Sequence, residues 1–153
     1  MDLPIRKSPR IPYYDYGLPN YYFITICTHN KNCYFGNGNT LSEMGQIAEK
    51  CILSIPEFYP NVTVDNHVIM PNHVHAILIF KEPTVMDTLS HVIGQYKMTV
   101  TKKIRCINPS LIVWQRSFHD HIIRNQHSYE KIWNYISDNP RKWEEDCFYI
   151  AQK

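Results

Sequence analysis

Residues 62–80 read VTVDNHVIM-PN-HVHAILIF, two apolar runs rich in β-branched residues that are separated by Pro71-Asn72. Runs of this composition favour strands, and a short turn-forming break between them favours an antiparallel hairpin. The segment therefore predicts paired strands at 62–70 and 73–80. In the second strand, His73 and His75 share one face, because residues i and i+2 of a strand project to the same side.

Strands and helices are predicted to alternate around this hairpin. YYFITICT (21–28) favours a strand, and LIVWQRSFHDHIIR (111–124) favours a further, bent strand. Helical spacing of apolar residues occurs in 41–59, 88–106 and 128–138. The first six elements read βαββαβ, which predicts an α+β fold: a ferredoxin-like (split βαβ) antiparallel sheet with helices on one face, followed by a C-terminal helix.

The composition is that of an ordinary globular chain. Its 153 residues suit one domain, and 44% apolar with 20% charged residues excludes a disordered protein. Residues 1–20 are rich in proline and are expected to form an irregular arm, with a single domain over 21–153.

Cysteine usage and hydropathy indicate the compartment. The five cysteines form no CxxC pair and no zinc-like spacing, and no secretory leader is evident, so we expect a reducing, cytoplasmic location. The longest apolar run covers 76–80, whereas crossing a bilayer takes roughly 20 residues. No membrane association is expected.

Positive charge is clustered rather than large. The net charge is only +2, but residues 97–105 carry four cations and no acid. Such clusters suit phosphate contacts, although a solvated helix face would show the same run. Aromatic residues make up 13% of the chain, enough for a surface that stacks on unpaired bases. The candidate DNA-binding residues are Arg6, Arg10, Lys97, Lys102, Lys103, Arg105, Arg116 and Arg124.

The His73-Val74-His75 motif is the most specific local indication of a functional site. Neutral imidazole is a common ligand of divalent metals, and two rings on one strand face could share an ion. An isolated motif of this kind more often consists of two hydrogen-bonded surface histidines.

Tyr135 and Asn139 form a second candidate pair, on the last helix. Residues four apart share a helix face and lie roughly 6 Å apart along the axis, so a phenol and an amide could meet one metal-bound phosphate. Spacing alone favours simpler roles. Tyr135 could be a half-buried aromatic residue, and Asn139 could cap the turn that begins at Pro140.

Five stretches give the sequence a family resemblance. Together they resemble the IS200/IS605-like single-tyrosine transposases of the HUH endonuclease superfamily, and among these most closely the REP-associated tyrosine transposases. The stretches span nearly the whole chain in the family's order. They are RIPYYDY (10–16), YYFITICTHN (21–30), VIMPNHVHAIL (68–78), VWQRSFHDHIIRN (113–125) and YISDNPRKW (135–143).

The resemblance implies a site and a reaction. The HUH pair falls on His73 and His75, the nucleophile on Tyr135, and the third metal ligand on Asn139. A divalent ion, Mg²⁺ or Mn²⁺, would bind the scissile phosphate of single-stranded, hairpin-forming DNA. Attack by Tyr135 would leave a 5′-phosphotyrosyl link and a free 3′-hydroxyl. Phe118 stands where many relatives carry a tyrosine, so it is not a competing nucleophile.

Several roles stay open at the level of sequence. Asp120 and His121 either orient a ligand, contact DNA or are structural. The protein could be a monomer or a homodimer, with Tyr135 acting in its own subunit or in the partner. The alternative function is a domesticated, sequence-specific nucleic-acid-binding protein of the same fold that no longer cleaves. An RNA-binding ferredoxin-like domain is a third reading.

Overall fold

The computed structural model describes residues 20–37, 40–82 and 87–143. These residues contain four strands, which form one antiparallel sheet in the order β2-β3-β1-β4. This is the strand order of a split βαβ sheet, so the predicted α+β, ferredoxin-like fold is confirmed. The strands are β1 (Asn20–Cys27), β2 (Val62–Met70), β3 (His73–Phe80) and β4 (His119–Ile123). The helices are α1 (Glu43–Leu53), α2 (Ile55–Phe58), α3 (Leu89–Ile104) and α4 (Gln126–Asp138).

The predicted hairpin is confirmed, with β2 at one edge of this sheet. β2 and β3 pair antiparallel with Met70 opposite His73, and β3 pairs on its other side with β1, where Thr25 lies opposite His75. β3 is therefore an inner strand. The histidine pair lies within the sheet and not on an exposed edge.

Both faces of the sheet are covered. On one face Val74, Ala76, Leu78 and Phe80 pack into the main core together with side chains of α1 and α3. On the other face Ile77 packs with Ile123 and with Ile136 of α4 in a smaller cluster. Because side chains alternate along β3, His73 and His75 share the face of Ile77 and lie on the side of α4.

Each of the three longer helices begins at a side-chain cap. Ser42 Oγ accepts from the Gly45 amide at 3.1 Å, and Thr88 Oγ1 caps α3 in the same way. Asn125 Oδ1 accepts from the Ser128 amide at 2.8 Å and starts α4. Such caps typically contribute about 1 kcal/mol each. The Asn125 cap therefore helps to fix the helix that carries Tyr135.

The fourth strand is shorter than the sequence predicts. The predicted bent strand over 111–124 is interrupted: β4 covers only His119–Ile123, and in the first half Trp114 forms an isolated antiparallel bridge with Thr28. Lys97 of α3 explains the difference, because its ammonium donates to the carbonyl oxygens of Gln115 and Ser117, both at 2.9 Å. These bonds tie the backbone at 115–117 to α3 where the regular pairing is interrupted, although the Gln115 amide still donates to the Cys27 carbonyl of β1 at 2.9 Å.

Two further predictions concern the helix over 41–59 and the arm over 1–20. The predicted helix over 41–59 is divided at Ser54 into α1 and α2. The predicted arm over 1–20 lies outside the described residues apart from Asn20, so the domain limits stay a prediction. Among the helices of the described ranges, none combines the length and hydropathy that a membrane span requires.

Candidate active site

β3 places two buried imidazoles side by side beneath α4. His73 is 0% and His75 is 2% exposed, and their ring centres are 4.6 Å apart. The alternative of two surface histidines is therefore excluded. Two imidazoles that bind one ion through nitrogens about 2.1 Å from it have ring centres roughly 4.5–5.5 Å apart. The observed spacing is compatible with a shared ion.

Each ring is oriented by a neighbouring polar side chain. His73 Nδ1 lies 2.8 Å from Asn72 Oδ1, and the Asn72 amide in turn donates to the carbonyl of Lys31 at 3.2 Å. His75 Nδ1 lies 3.0 Å from Thr25 Oγ1. With Nδ1 donating to an oxygen, the lone pair of an imidazole is on Nε2. A metal would therefore be bound through Nε2 of both residues.

Burial keeps both rings neutral. Loss of hydration lowers the pKa of His73 to about 2, and a charge on His75 would lower it further. Burial likewise lowers the pKa of His75 to about 4, although a hydrogen bond with the Ile24 backbone opposes part of that shift. Neutral imidazole is the form that binds a metal, so the pair needs no deprotonation near pH 7.

α4 brings Tyr135 to this pair within the same chain. The Tyr135 ring centre is 5.3 Å from that of His75, and the side chain is 42% exposed. Phe23 of β1 lies against both, stacked on His75 at 5.1 Å and edge-on to Tyr135 at 6.3 Å. The phenol is thus close to the buried histidines and also open to a ligand from solvent.

Asn139 follows Tyr135 by one helical turn and is 4% exposed. Its backbone is helical, and within the part of the chain that the structure describes its Oδ1 has no hydrogen-bond partner. The proposed role as a side-chain cap of the Pro140 turn therefore finds no support. Four residues further on, the Trp143 ring centre lies 6.2 Å from that of His73. In the sequence, Asn139 thus stands midway between two residues whose rings lie near the histidine pair.

The ligand chemistry of the site depends on this amide. Across residues 20–37, 40–82 and 87–143, no third His, Cys, Asp or Glu joins the pair to make a metal-binding cluster. A buried acceptor without a partner is energetically unfavourable, and a cation would satisfy it. Two imidazole nitrogens and one amide oxygen fit a divalent metal that keeps open positions for a substrate.

The chain is similar to known proteins in sequence and in fold. No family model matches the chain. The chain is 34% identical over 168 aligned residues to an uncharacterised protein of Haemophilus influenzae, with 95% of this chain and 93% of that protein covered. It is also similar to the structure of a REP-associated tyrosine transposase bound to a REP hairpin, with a TM-score of 0.68, 25% identity, and 89% of this chain and 74% of that chain covered. With the motifs quoted above, this similarity supports membership of the IS200/IS605-like family of single-tyrosine transposases.

A second solved structure shares the fold of this transposase family. It is a protein of Deinococcus radiodurans R1, provisionally assigned as a transposase, with a TM-score of 0.55 and 16% identity. The similarity covers 87% of this chain and 97% of that one. At this identity the comparison supports the fold alone.

β4 places two further histidines on the same face of the sheet as His73 and His75. His121 pairs with Phe23 and His119 pairs with Thr25, which itself pairs with His75 on the other side. Both are exposed. His119 was not among the sequence candidates, although its spacing of two from His121 on a strand is the signal that would have found it.

Asp120 points away from the histidine pair. It pairs with Ile24, whose side chain belongs to the core on the α1 and α3 side of the sheet. The suggestion that Asp120 orients a metal ligand therefore finds no support in the register. His121 lies on the same sheet face as His73 and His75, and because it is exposed it remains a candidate contact for DNA.

The candidate DNA-binding cations divide into four groups. Lys97 is engaged with backbone carbonyls, so its primary role is structural. Lys102, Lys103 and Arg105 belong to the end of α3, on the sheet face opposite the histidine pair, and Arg105 Nε donates to the Leu111 carbonyl at 3.2 Å. Arg116 and Arg124, beside β4, are exposed. Arg6 and Arg10, in the arm, lie outside the described residues.

Proposed function

We propose that this chain is a metal-dependent, single-stranded DNA endonuclease and strand transferase with Tyr135 as its nucleophile. One observation carries the proposal: the ring centre of the exposed Tyr135 lies 5.3 Å from that of His75, one member of a buried, neutral imidazole pair in the same chain. A transposase of this family needs a nucleophile beside a cation, and the exposure of Tyr135 leaves its side chain accessible to DNA.

His73 and His75, through Nε2, and Asn139, through Oδ1, are proposed to hold Mg²⁺ or Mn²⁺. Support comes from the neutral state of both rings and from the buried Asn139 oxygen that lacks a partner among the described residues. When bound, such an ion would offset charge on the scissile phosphate and help to orient it. Asn72 and Thr25 would keep the two rings in the ligating orientation.

Tyr135 would carry out the covalent step. A phenol has a pKa near 10, so its proton must leave as the oxygen attacks, and the exposure of Tyr135 gives that proton a path to water. The new bond joins the phenolic oxygen to phosphorus, the bond from phosphorus to the 3′-oxygen breaks, and that oxygen takes up a proton. Attack by another 3′-hydroxyl would reverse these changes and release Tyr135, so strand joining needs no external energy source.

Single-stranded DNA that forms a hairpin is the proposed substrate. The compared REP-associated transposase was solved with a REP hairpin, and this chain shares its fold over 89% of its length. Arg116 and Arg124 are exposed beside β4 and are our candidates for phosphate contacts. We place the reaction in the cytoplasm, where such DNA is available.

The test is formation of a covalent adduct. The protein is incubated with labelled single-stranded DNA from the flanks of its own gene and Mn²⁺, and the products are separated under denaturing conditions. We expect a protein–DNA adduct that requires the metal and is lost in Tyr135→Phe. Tyr21→Phe is a matched control, because Tyr21 is equally exposed (41%) but its ring contacts Tyr129 instead of His75.

Three results would contradict the proposal. Tight DNA binding without any adduct would identify a domesticated binding protein of this fold. An adduct that persists in Tyr135→Phe would place the nucleophile elsewhere. A preference for RNA without an adduct would favour the RNA-binding reading.

A further inference from the structure

β2 departs from regular pairing at one point. Its register with β3 shifts between Val64 and Asn66, so Asp65 is an extra residue in this edge strand. A bulge of this kind bends the strand and changes the direction of its side chains. Asp65 and Asn66 both reach α4, the helix that carries Tyr135.

The contacts of the bulge with α4 are polar. Tyr129 donates its hydroxyl hydrogen to Asp65 Oδ2. Asn66 Nδ2 donates to the carbonyl oxygen of Trp133 and to Ser137 Oγ, both at 3.2 Å. We call these bonds the bulge contacts. Because Tyr129, Trp133 and Ser137 are four residues apart, the bulge contacts follow one side of the helix over its last three turns.

Apolar packing beneath α4 is sparse. Within α4, all of which the structure describes, Ile136 is the only buried residue. Tyr129 and Ile132 are partly buried against the small cluster formed by Ile77, Ile123 and Ile136. Hydrophobic burial alone therefore leaves the position of this helix weakly determined.

We infer that Asp65 and Asn66 are positioning residues that hold α4 against the sheet of its own chain, so that Tyr135 reaches His75 in cis. The reading of Tyr135 as nucleophile rests on the proposed function. Tyr135 lies on a different side of the helix from Tyr129, Trp133 and Ser137, so the bulge contacts fix the rotation of α4 without occupying the phenol. The 5.3 Å separation of the Tyr135 and His75 rings is then the consequence of a fixed helix.

Tyr129 is well suited to a permanent contact. The hydrogen bond to Asp65, together with partial burial and the carboxylate charge, raises the pKa of Tyr129 to about 12. Its hydroxyl therefore stays protonated and keeps donating over the whole range in which the protein would work. The same shift makes Tyr129 a poor nucleophile and separates its role from that of Tyr135.

Hydrogen exchange of α4 amides tests the docking without requiring activity. We compare the wild type, Asp65→Ala, Asn66→Ala, the double variant and Asp65→Asn, whose amide oxygen still accepts from Tyr129. The double variant should exchange α4 amides about ten- to hundred-fold faster, since loss of such hydrogen bonds changes opening equilibria by that order. Asp65→Asn should remain near the wild type. Unchanged exchange in α4, or equal acceleration in β1 and β3, overturns the inference.

Two activity measurements separate positioning from mere stability. At saturating DNA the rate of adduct formation should fall about ten-fold in the double variant, while the Kd for DNA stays unchanged. Asp65→Asn should form the adduct at a rate near that of the wild type. Mixing Tyr135→Phe with a His73→Ala,His75→Ala variant should give no adduct if each chain uses its own tyrosine. An adduct in that mixture overturns the assignment in cis. If the wild type forms no adduct, the proposed function fails, and the exchange data still decide whether the bulge contacts hold α4.

Discussion

Thr25 Oγ1 lies 3.0 Å from Nδ1 of His75, across the pairing of β1 with β3. Both residues are buried, so the distance is set by strand register and not by a mobile surface side chain. A hydrogen-bond partner on one imidazole nitrogen fixes the ring and leaves the other nitrogen to bind a metal. The backbone of β1 thereby controls the orientation of a proposed ligand on β3.

Thr25→Val tests this control. Valine keeps the shape of threonine but removes the hydroxyl, so His75 loses its side-chain partner. We expect Mn²⁺ affinity to fall about ten-fold, the low end of the usual effect, because the Ile24 backbone also bonds to His75. Isothermal titration measures the change. Thr25→Ser keeps the hydroxyl and should bind like the wild type; equal affinity in the valine variant would exclude a supporting role.

Asn139→Ala addresses the third proposed ligand. The Oδ1 atom is buried and has no partner among the described residues, so its removal should leave the metal-free protein as stable or make it slightly more stable. Mn²⁺ affinity should fall about ten- to hundred-fold, because loss of a ligand should cost at least as much as loss of a residue that orients one. Asn139→Gln should keep part of the Mn²⁺ affinity. Urea unfolding with and without Mn²⁺ measures both effects. A variant that is destabilised without metal yet binds Mn²⁺ normally would show that Asn139 is structural.

Much of the fold could be predicted from the sequence because it depends on local patterns. β2 and β3 have the predicted limits, 62–70 and 73–80, since alternation of side chains and a short turn specify a hairpin. That His73 and His75 share a face follows from strand geometry alone. Their burial does not, because it depends on α4, which lies about 60 residues further along the chain.

Other features depend on contacts between distant residues. Lys97 bonds to the carbonyls of Gln115 and Ser117 where the pairing with β1 is interrupted, and no pattern within 111–124 reveals this. The side of the sheet on which Asp120 projects changes with a one-residue shift in register. The bulge at Asp65 has no clear signature in VTVDNHVIM. The pairing of Tyr135 with His75 was implied by the family resemblance, while spacing alone favoured a simpler role for the tyrosine.

The metal-free protein should lose stability as the pH falls from 7 to 5. Burial lowers the pKa of His73 to about 2 and that of His75 to about 4, so both stay neutral in the folded state. In the unfolded state they take up protons near pH 6.5, which favours unfolding at lower pH. Each histidine should contribute roughly 2 kcal/mol to this loss between pH 7 and 5. Urea unfolding in the presence of a chelator measures it.

A substitution checks that these histidines cause the pH dependence. His73→Gln removes one titrating group, so the free energy of unfolding should depend less steeply on pH than in the wild type. The same steep profile in both proteins would assign the effect to other groups. Saturating Mn²⁺ should add stability at pH 7 and lose its effect as acid competes for the proposed ligands.

Lys97 and Arg116 should respond differently to loss of charge, although both were candidate DNA contacts. The Lys97 ammonium donates to two backbone carbonyls, so Lys97→Met should lower the free energy of unfolding by about 1–3 kcal/mol and leave the salt dependence of DNA binding nearly unchanged. Arg116 is exposed, so Arg116→Gln should keep the stability but reduce the slope of log K against log salt by about 0.7. Lys102→Met, on the opposite face of the sheet, should change neither quantity. If Lys97→Met lowers the salt slope without destabilising the fold, its ammonium contacts DNA and the structural assignment is wrong.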